Sequence, residues 1–590
     1  MSKKREAVHE AARDRHEKAR AEYGVILLPA PWLHMGLRAG YRDSQDATAK
    51  DGSMSKLYFN GEFLPMTGEG DTFEALVEEG GRIVFTGGLD EAHAFAPDAD
   101  DVDLAGACLM PGLIDPHSHI AGSNQYVVAA QLDACRSFDG IVEAMRVFAE
   151  RNAIGPDGVI MGVGYDQNAL IEGRHPDRHV LDRVSTEVPC LAVHASSHML
   201  VANTRLLELA GITAQTPDPE GARYGREADG ATPDGFCEEP NAMWPVFGQV
   251  QPRQKFDMDQ LIVQMQDVYL EHGITTCQEG ATTADYAALF AGMAKRGLLK
   301  MDVVSYPMHG EDVDAILAEH AEFDGPEYTG HFRFGGLKMF LDGSPQGRTA
   351  WMSEPYSPGD EGEGYCGYGT ISDEDAYAYM RKAIDGGRQL LAHTNGDAAA
   401  DQYLRVYARA LADSPNPRKR ELRPVMVHCQ TVRRDQYERM GALNMIPTIF
   451  INHIWYWGDV HLRNFGESRG GRISAVRDAL DCGLRPTFHT DCPVLRPNLF
   501  ESVWCAVRRV TKDGVQLDES QKIGVYEGLE CITRNGAYQY GEEALKGTLE
   551  PGKLADFCVV ERNPLAVDVD DLRDLRVLAT IKEGRAVWRA

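Results

Sequence analysis

Short apolar runs recur along residues 113–491, and several carry a histidine or a carboxylate at the C-terminal end. In order they are LIDPHSHI, ITTCQEG, DVVSYPM, GLKMFLDG, QLLAHTNG, VMVHC, IPTIF and RPTFHTD. Helical stretches separate them. Such alternation predicts parallel strands joined by helical crossovers, since a parallel sheet is buried on both faces. Eight strands is the count that closes a barrel, so the expected fold class is α/β with a (β/α)8 TIM-type barrel. The runs LIDPHSHI and ITTCQEG stand far apart. The segment between them, about residues 124–260, is too long for a simple crossover and carries strand-like pieces of its own, GVIMGVGYD and PCLAVHASSHMLVAN. It is expected to form a large insertion after strand 1, a subdomain over the barrel mouth.

Both ends of the chain have a different texture. KLYFNGEFLP and GRIVFTGG near the start, and LADFCVVERNPL and VLATIKEGRAVW near the finish, are short β-type segments with turn punctuation. Neither end carries enough apolar surface for a core of its own, so the two should bury their faces together. The expected organisation is an N-terminal extension over 1–54, a small composite β-sandwich from 55–111 and 546–590, and the barrel over 112–545. The extension has a charged helical start and a polar, Asp-rich finish. It reads as a loose arm or as one that packs on a neighbouring subunit.

Composition narrows the function classes. The chain has 590 residues, with 89 Asp plus Glu against 60 Lys plus Arg and a net charge of -29. Such an excess of acid repels phosphate backbones, so nucleic acid is not an expected partner. Twelve cysteines are scattered with no C-x-x-C pair, which argues against a zinc ribbon or a thioredoxin-like site and fits thiols in a reducing compartment. The first residues have no apolar core of a secretory signal, and the apolar stretch 24–37 is too short for a bilayer and holds two prolines. A cytoplasmic protein without a membrane partner is expected. Symmetric dimers are the commonest oligomers, so a homodimer is the default assembly.

Chemistry concentrates at the strand ends. In PGLIDPHSH, His117 and His119 alternate, and alternate residues of a strand share a face. Two converging imidazoles suit a divalent metal. His393 ends QLLAH, His428 ends VMVH and Asp491 follows PTFHT. Each alone reads better as a core histidine or a capping aspartate. Together they occupy the ends that meet at one barrel mouth, and a metal centre explains the coincidence. Lys338, in GGLKMFLDG, is costly to bury as a cation. Either its ammonium pairs with Asp342 or Glu279, or it is carbamylated and its new carboxylate bridges two metal ions. Glu279 in TTCQEGA, Arg348 in GSPQGRTA, the aromatic triplet Trp455, Tyr456 and Trp457 in NHIWYWGD, and His198 in ASSHML are candidate pocket residues. For each, ordinary packing or a structural ion pair is the competing reading. Cys429 and Cys492 neighbour candidate ligands without a Cys-His pair, so a thiol nucleophile is not expected.

MPGLIDPHSH, LKMFLDGSPQGRTA, LLAHTNGDAA, VMVHCQTV, HTDCPV and GTLEPGKLADF, in this order, resemble the amidohydrolase superfamily. Within it the chain is similar to the amidohydrolase family 3 branch, with YtcJ-like proteins and N-substituted formamide deformylases. HASSHMLVANTRLLELAGI and PDGFCEEP match more weakly. The resemblance implies His117, His119 and Asp491 on one metal, His393 and His428 on a second, and carbamylated Lys338 as the bridge. It also implies zinc as the ion, in one or two copies, and Asp491 as proton shuttle. The expected reaction is hydrolysis of an amide-type C–N bond in a small organic substrate. The same site would serve cyclic amidine deamination, ester or lactone hydrolysis or decarboxylation, and a non-catalytic regulatory relative would keep the fold alone.

Overall fold

The computed structural model describes residues 55–590, apart from 168, 195–198, 220–221, 251–252, 254–256 and 360–361. The expected extension, residues 1–54, lies outside the described residues. The chain divides into two compact units. The described part of the smaller spans 122–265, and that of the larger spans 55–121 and 266–590.

The larger unit opens with β1 (Lys56–Phe59), β2 (Glu62–Phe63), β3 (Ala75–Glu79), β4 (Arg82–Gly87), β5 (Asp100–Asp103), β6 (Cys108–Pro111) and β7 (Leu113–Ile114). A four-stranded sheet runs in the order β4-β3-β1-β5. The smaller unit follows with β8 (Ala130–Gln131), β9 (Ile160–Tyr165), β10 (Cys190–His194), β11 (Met199–Ala202), β12 (Arg223–Arg226) and β13 (Pro233–Glu238). They form one sheet, β12-β13-β11-β10-β9-β8, over a core of Leu132, Ile141, Met145, Leu181 and Ala192.

The chain then re-enters the larger unit beside the strand it left: β14 (Ile274–Thr282) pairs in parallel with β7, Ile274 opposite Leu113. β15 (Asp302–Pro307), β16 (Phe332–Phe334), β17 (Gly336–Phe340), β18 (Gln389–Thr394), β19 (Val425–His428), β20 (Ile446–Ile449) and β21 (Thr487–Phe488) complete two parallel sheets, β16-β15-β14-β7 and β17-β18-β19-β20-β21. Every residue of β15, β19 and β20 is buried, the condition in which parallel strands read as continuous apolar runs. Helices such as Asp373–Asp385 and Asp397–Asp413 connect them. The sheets touch at both edges. Met308 bridges Lys338 in parallel, and the His119 amide donates to the Cys492 carbonyl at 2.7 Å.

β16 and β17 are one run of chain interrupted at Gly335. A Cβ there would lie 2.5 Å from the Tyr306 ring and from Val304, so only glycine permits this approach to β15. The sequence expectation of a single run, GLKMFLDG, missed the Phe332–Phe334 piece because three residues carry no readable period.

The chain ends in β22 (Phe557–Val560), β23 (Val577–Lys582) and β24 (Arg585–Arg589). With β2 and β6 they form a five-stranded sheet, β2-β6-β22-β23-β24, with Phe557 opposite Pro111. Tyr58, Leu76 and Ile83 of the first sheet share a core with Leu109, Phe557 and Ile581 of this one. A buried ion cluster ties β23 to β15. Asp302 Oδ2 lies 2.5 Å from Lys546 Nζ and 2.7 Å from Lys582 Nζ, and Lys582 also reaches Asp556 at 2.8 Å. Among the described residues no helix is long and apolar enough to cross a membrane.

Candidate metal centre

Side chains from β17, β18 and β19 and from the chain just past β7 and β21 come together. His117 and His119 do not sit on a strand, because β7 ends at Ile114 and they follow on a bend. Their rings are nonetheless edge to face at 5.1 Å. His117 Nε2 lies 3.4 Å and His119 Nε2 3.3 Å from Asp491 Oδ1, three residues past β21. His428, the last residue of β19, stacks edge-on to His117 at 5.5 Å and to His393 of β18 at 4.5 Å. One ligand atom from each of His117, His428 and Asp491 lies within 4.8 Å of the other two. Lys338, fully buried on β17, places Nζ 3.3 Å from His117 Nε2. His428 and Asp491 both have positive φ, 78° and 54°. For residues with a Cβ this conformation is strained, and it turns the chain sharply as each strand ends.

The charges of these groups favour a cation among them. Burial holds the His117 and His428 imidazoles well below their ordinary pKa, with further lowering from Lys338 for His117 and from His393 for His428. Neutral imidazole is the form that ligates metal. Burial would also lower His119, but the Asp491 and Glu279 carboxylates outweigh it and push it up to about 9. Asp491 is held below its usual value because His119 outweighs its own burial. Its Oδ1 is buried and accepts no hydrogen bond, although two imidazole nitrogens flank it. A buried carboxylate oxygen beside the neutral His117 and His428 imidazoles is a donor set that fits a divalent ion, which would take the place of the His119 proton.

Lys338 pairs with neither suggested carboxylate. Asp342 instead accepts from the amides of Asn395 at 3.0 Å, Gly396 at 2.6 Å and Trp351 at 3.1 Å, and from His393 Nδ1 at 3.2 Å. Glu279 accepts from the Ala121 amide at 2.9 Å and approaches His119 Nδ1 at 3.7 Å. Burial pushes the Lys338 amine down to about 7, with Asp491 and Glu279 opposing. Much of it is uncharged at neutral pH, and the uncharged amine is the form that adds CO2.

Sequence reasoning missed the groups behind the imidazoles. His117 Nδ1 meets Gln278 Oε1 at 2.6 Å, and His428 Nδ1 meets His489 Nε2 at 3.1 Å. With Asp342 behind His393, these contacts occupy the Nδ1 side of all three rings; Nε2 of His117 faces Asp491, while Nε2 of His393 meets Asn395 Nδ2 at 3.3 Å. Gln278 and Asp342 stood in quoted motifs as neighbours of other candidates. Only the three-dimensional register assigns them their partners.

The pocket candidates separate. Trp455 lies edge-on to Trp504 at 5.1 Å, and Tyr456 donates its hydroxyl to Glu501 at 3.2 Å. Trp457 packs at 4.5 Å on His453 and at 6.1 Å on Phe450, whose ring is 5.1 Å from His489. The triplet belongs to a helix, His453–Gly470, in which successive side chains point in different directions. Tyr456 and Trp457 adjoin at 5.8 Å while Trp455 turns to Trp504, so the three do not form one wall. Arg348 donates to Ser357 O at 2.8 Å and to Asn464 Oδ1 at 3.4 Å and lies over the Tyr356 ring. His198 lies outside the described residues. A second carboxylate–histidine group, Asp302, His331 and Glu583, already holds two ammonium groups on Asp302, which oppose a metal cation.

Gly280 lies against the centre. A Cβ there would sit 2.7 Å from His117 Cε1 and 2.9 Å from Gln278 Oε1. Gly280→Ala should displace His117 and lower bound metal well below wild type, with circular dichroism unchanged. Full metal content by atomic absorption would show that His117 tolerates the shift.

The amidohydrolase family's sequence model matches residues 100–588. The Bacillus subtilis (strain 168) protein YtcJ is 26% identical over 564 residues, which cover 91% of this chain and 99% of YtcJ. The N-substituted formamide deformylase of Arthrobacter pascens is 27% identical over 532 residues, 87% of this chain and 94% of the deformylase. Among solved structures, an uncharacterized metal-dependent hydrolase from Pyrococcus furiosus has the same fold. Its TM-score is 0.65 at 22% identity, covering 87% of this chain and 100% of that one.

Proposed function

The chain belongs to the amidohydrolase family, and from that premise we propose that it hydrolyses an amide-type C–N bond of a small organic substrate at a centre held by His117, His119, His393, His428 and Asp491. The observation that carries this reading is the convergence of His117, His428 and Asp491 to within 4.8 Å, with both imidazoles neutral. The two parallel sheets, touching at both edges, are read as one (β/α)8 barrel, with the smaller unit as an insertion after its first strand and the terminal sheets as a sandwich. In a barrel, strand C-termini face one mouth, and that explains why the candidate ligands come from so many strands.

A divalent ion held by these residues, zinc in this reading, would lower the pKa of water from about 15.7 to about 7 and would polarise a carbonyl oxygen. The chain's own part is proton transfer and orientation. Asp491 takes the proton of the attacking water on its carboxylate and returns it to the departing nitrogen, so that the amine leaves neutral. Gln278, His489 and Asp342 hold the three imidazoles in place from behind. Lys338 as carbamate, formed from the uncharged amine and CO2 with release of one proton, would supply an anionic ligand between two ions. Density beyond Nζ in a crystal tests that step, and a bare amine removes it. All twelve cysteines are unpaired, which supports a reducing compartment such as the cytoplasm.

The whole reading is tested by metal analysis together with a hydrolysis panel of N-formyl, N-acyl, lactam and ester compounds. At least one equivalent of metal and turnover of an amide are expected, with chelation abolishing turnover. Less than one equivalent and no turnover on any compound would overturn it.

A further inference from the structure

We propose that His489 is a positioning residue of the metal centre, through which a hydrogen-bonded line from the Pro116 carbonyl fixes the tautomer of His428. This rests on the reading above that His428 and His117 hold a metal ion.

The line is continuous and buried. His428 Nδ1 lies 3.1 Å from His489 Nε2, and His489 Nδ1 lies 3.3 Å from Thr448 Oγ1. Thr448 Oγ1 is 2.7 Å from Thr487 Oγ1, which donates to Gln539 Oε1 at 2.9 Å. Gln539 Nε2 donates to Pro116 O at 2.8 Å. His489, Thr448 and Thr487 are fully buried and Gln539 is 1% exposed, so bulk water does not compete for these bonds.

Proton counting gives the line a direction. A carbonyl oxygen only accepts, so Gln539 turns its NH2 to Pro116 and its oxygen to Thr487. That oxygen also only accepts, so it takes the single Thr487 proton. The geometry of Thr487 suits donation to Thr448 as well, but its one proton goes to the amide oxygen, which has none to return, so the 2.7 Å contact takes the Thr448 proton and Thr448 accepts from His489 Nδ1. A neutral His489 with its proton on Nδ1 has a bare Nε2, which accepts from His428 Nδ1. His428 Nε2 is therefore the nitrogen without a proton, the one free to ligate.

A shorter line reaches the same oxygen from the other side. Gln278 Nε2 donates to Pro116 O at 2.9 Å, so its Oε1, 2.6 Å from His117 Nδ1, must accept from that nitrogen. His117 Nε2 is left bare by the same count. One carbonyl, in the residue before His117, thus orients two imidazoles, one just past β7 and one at the end of β19.

The test is metal affinity of the purified full chain, with zinc measured by competition against a chromogenic chelator. His489→Leu keeps the bulk and cuts the line, and ~10–100-fold weaker binding is expected. His489→Gln restores an acceptor toward His428 and a donor toward Thr448, so binding should recover to within a few-fold of wild type. A folded His489→Leu protein that binds zinc as wild type does would overturn the inference, and so would a Gln variant as weak as Leu. Should His489→Leu not fold, Thr448→Val cuts the line one link further out, and unchanged affinity there overturns it equally. Wild type that takes up no zinc would overturn the metal reading itself, and this inference with it. That outcome is distinct from intact wild-type binding with indifferent variants.

Discussion

Asp491→Asn is expected to leave a folded protein that retains metal while kcat falls by about 10²–10⁴-fold, the range for a lost general base. Asparagine is well chosen for the backbone, since Asp491 sits at φ 54° and asparagine enters this region more readily than most residues. The substitution keeps an oxygen able to ligate and removes the ability to carry a proton. In the native chain that oxygen lies 3.3 and 3.4 Å from the imidazole nitrogens of His119 and His117, which places it at the candidate centre. Metal content and kcat must be measured on the same sample. Turnover near the wild-type rate at full metal content would remove Asp491 from proton transfer. A matched loss of metal and activity would leave it a ligand only.

The sequence shows the candidate ligands because catalysis at strand ends leaves a local trace. A histidine or aspartate closing an apolar run is visible without any tertiary knowledge, as at His393, His428 and Asp491. His117 and His119 were found for a reason the structure does not share. Strand alternation predicts their shared face, yet both lie beyond β7, where the bend at 116–117 and the bridge from His119 to Glu279 set their rings. What stayed hidden is what acts between elements. His489 lies two residues before Asp491 and reads as part of the same motif, but its partner His428 is 61 residues away in sequence. Gln539 reaches Pro116 across 423 residues. The aromatic triplet reads as one wall in sequence, but it forms on a helix that turns Trp455 toward Trp504 and leaves only Tyr456 and Trp457 adjoining, at 5.8 Å. The interruption at Gly335 depends on the Tyr306 ring of a neighbouring strand and has no local signature.

The second large effect concerns stability at the far end of the same strands. Asp302→Asn is expected to destabilise the fold by about 3–5 kcal/mol, because it leaves buried ammonium groups without their carboxylate. Burial alone would raise the Asp302 carboxyl, but Lys546 and Lys582 hold it well below its usual pKa. Both lysines are almost fully buried and both share Asp302 Oδ2. Asp556 and Glu542 compensate them only in part, at 2.8 and 3.1 Å. Lys582 lies on β23 in the sheet built from both chain ends, and Asp302 opens β15. The lost contact therefore loosens the attachment of the terminal sheet to the parallel strands. Asp302 starts β15 while Met308, just past its other end, bridges Lys338 at the metal centre. At roughly 3.3 Å per residue, six residues put almost 20 Å between the two sites. Urea unfolding should thus move to a lower midpoint while zinc affinity of the folded variant stays at the wild-type value. An unchanged midpoint would make the cluster dispensable. A parallel loss of metal affinity would mean that the two ends of β15 do not act independently.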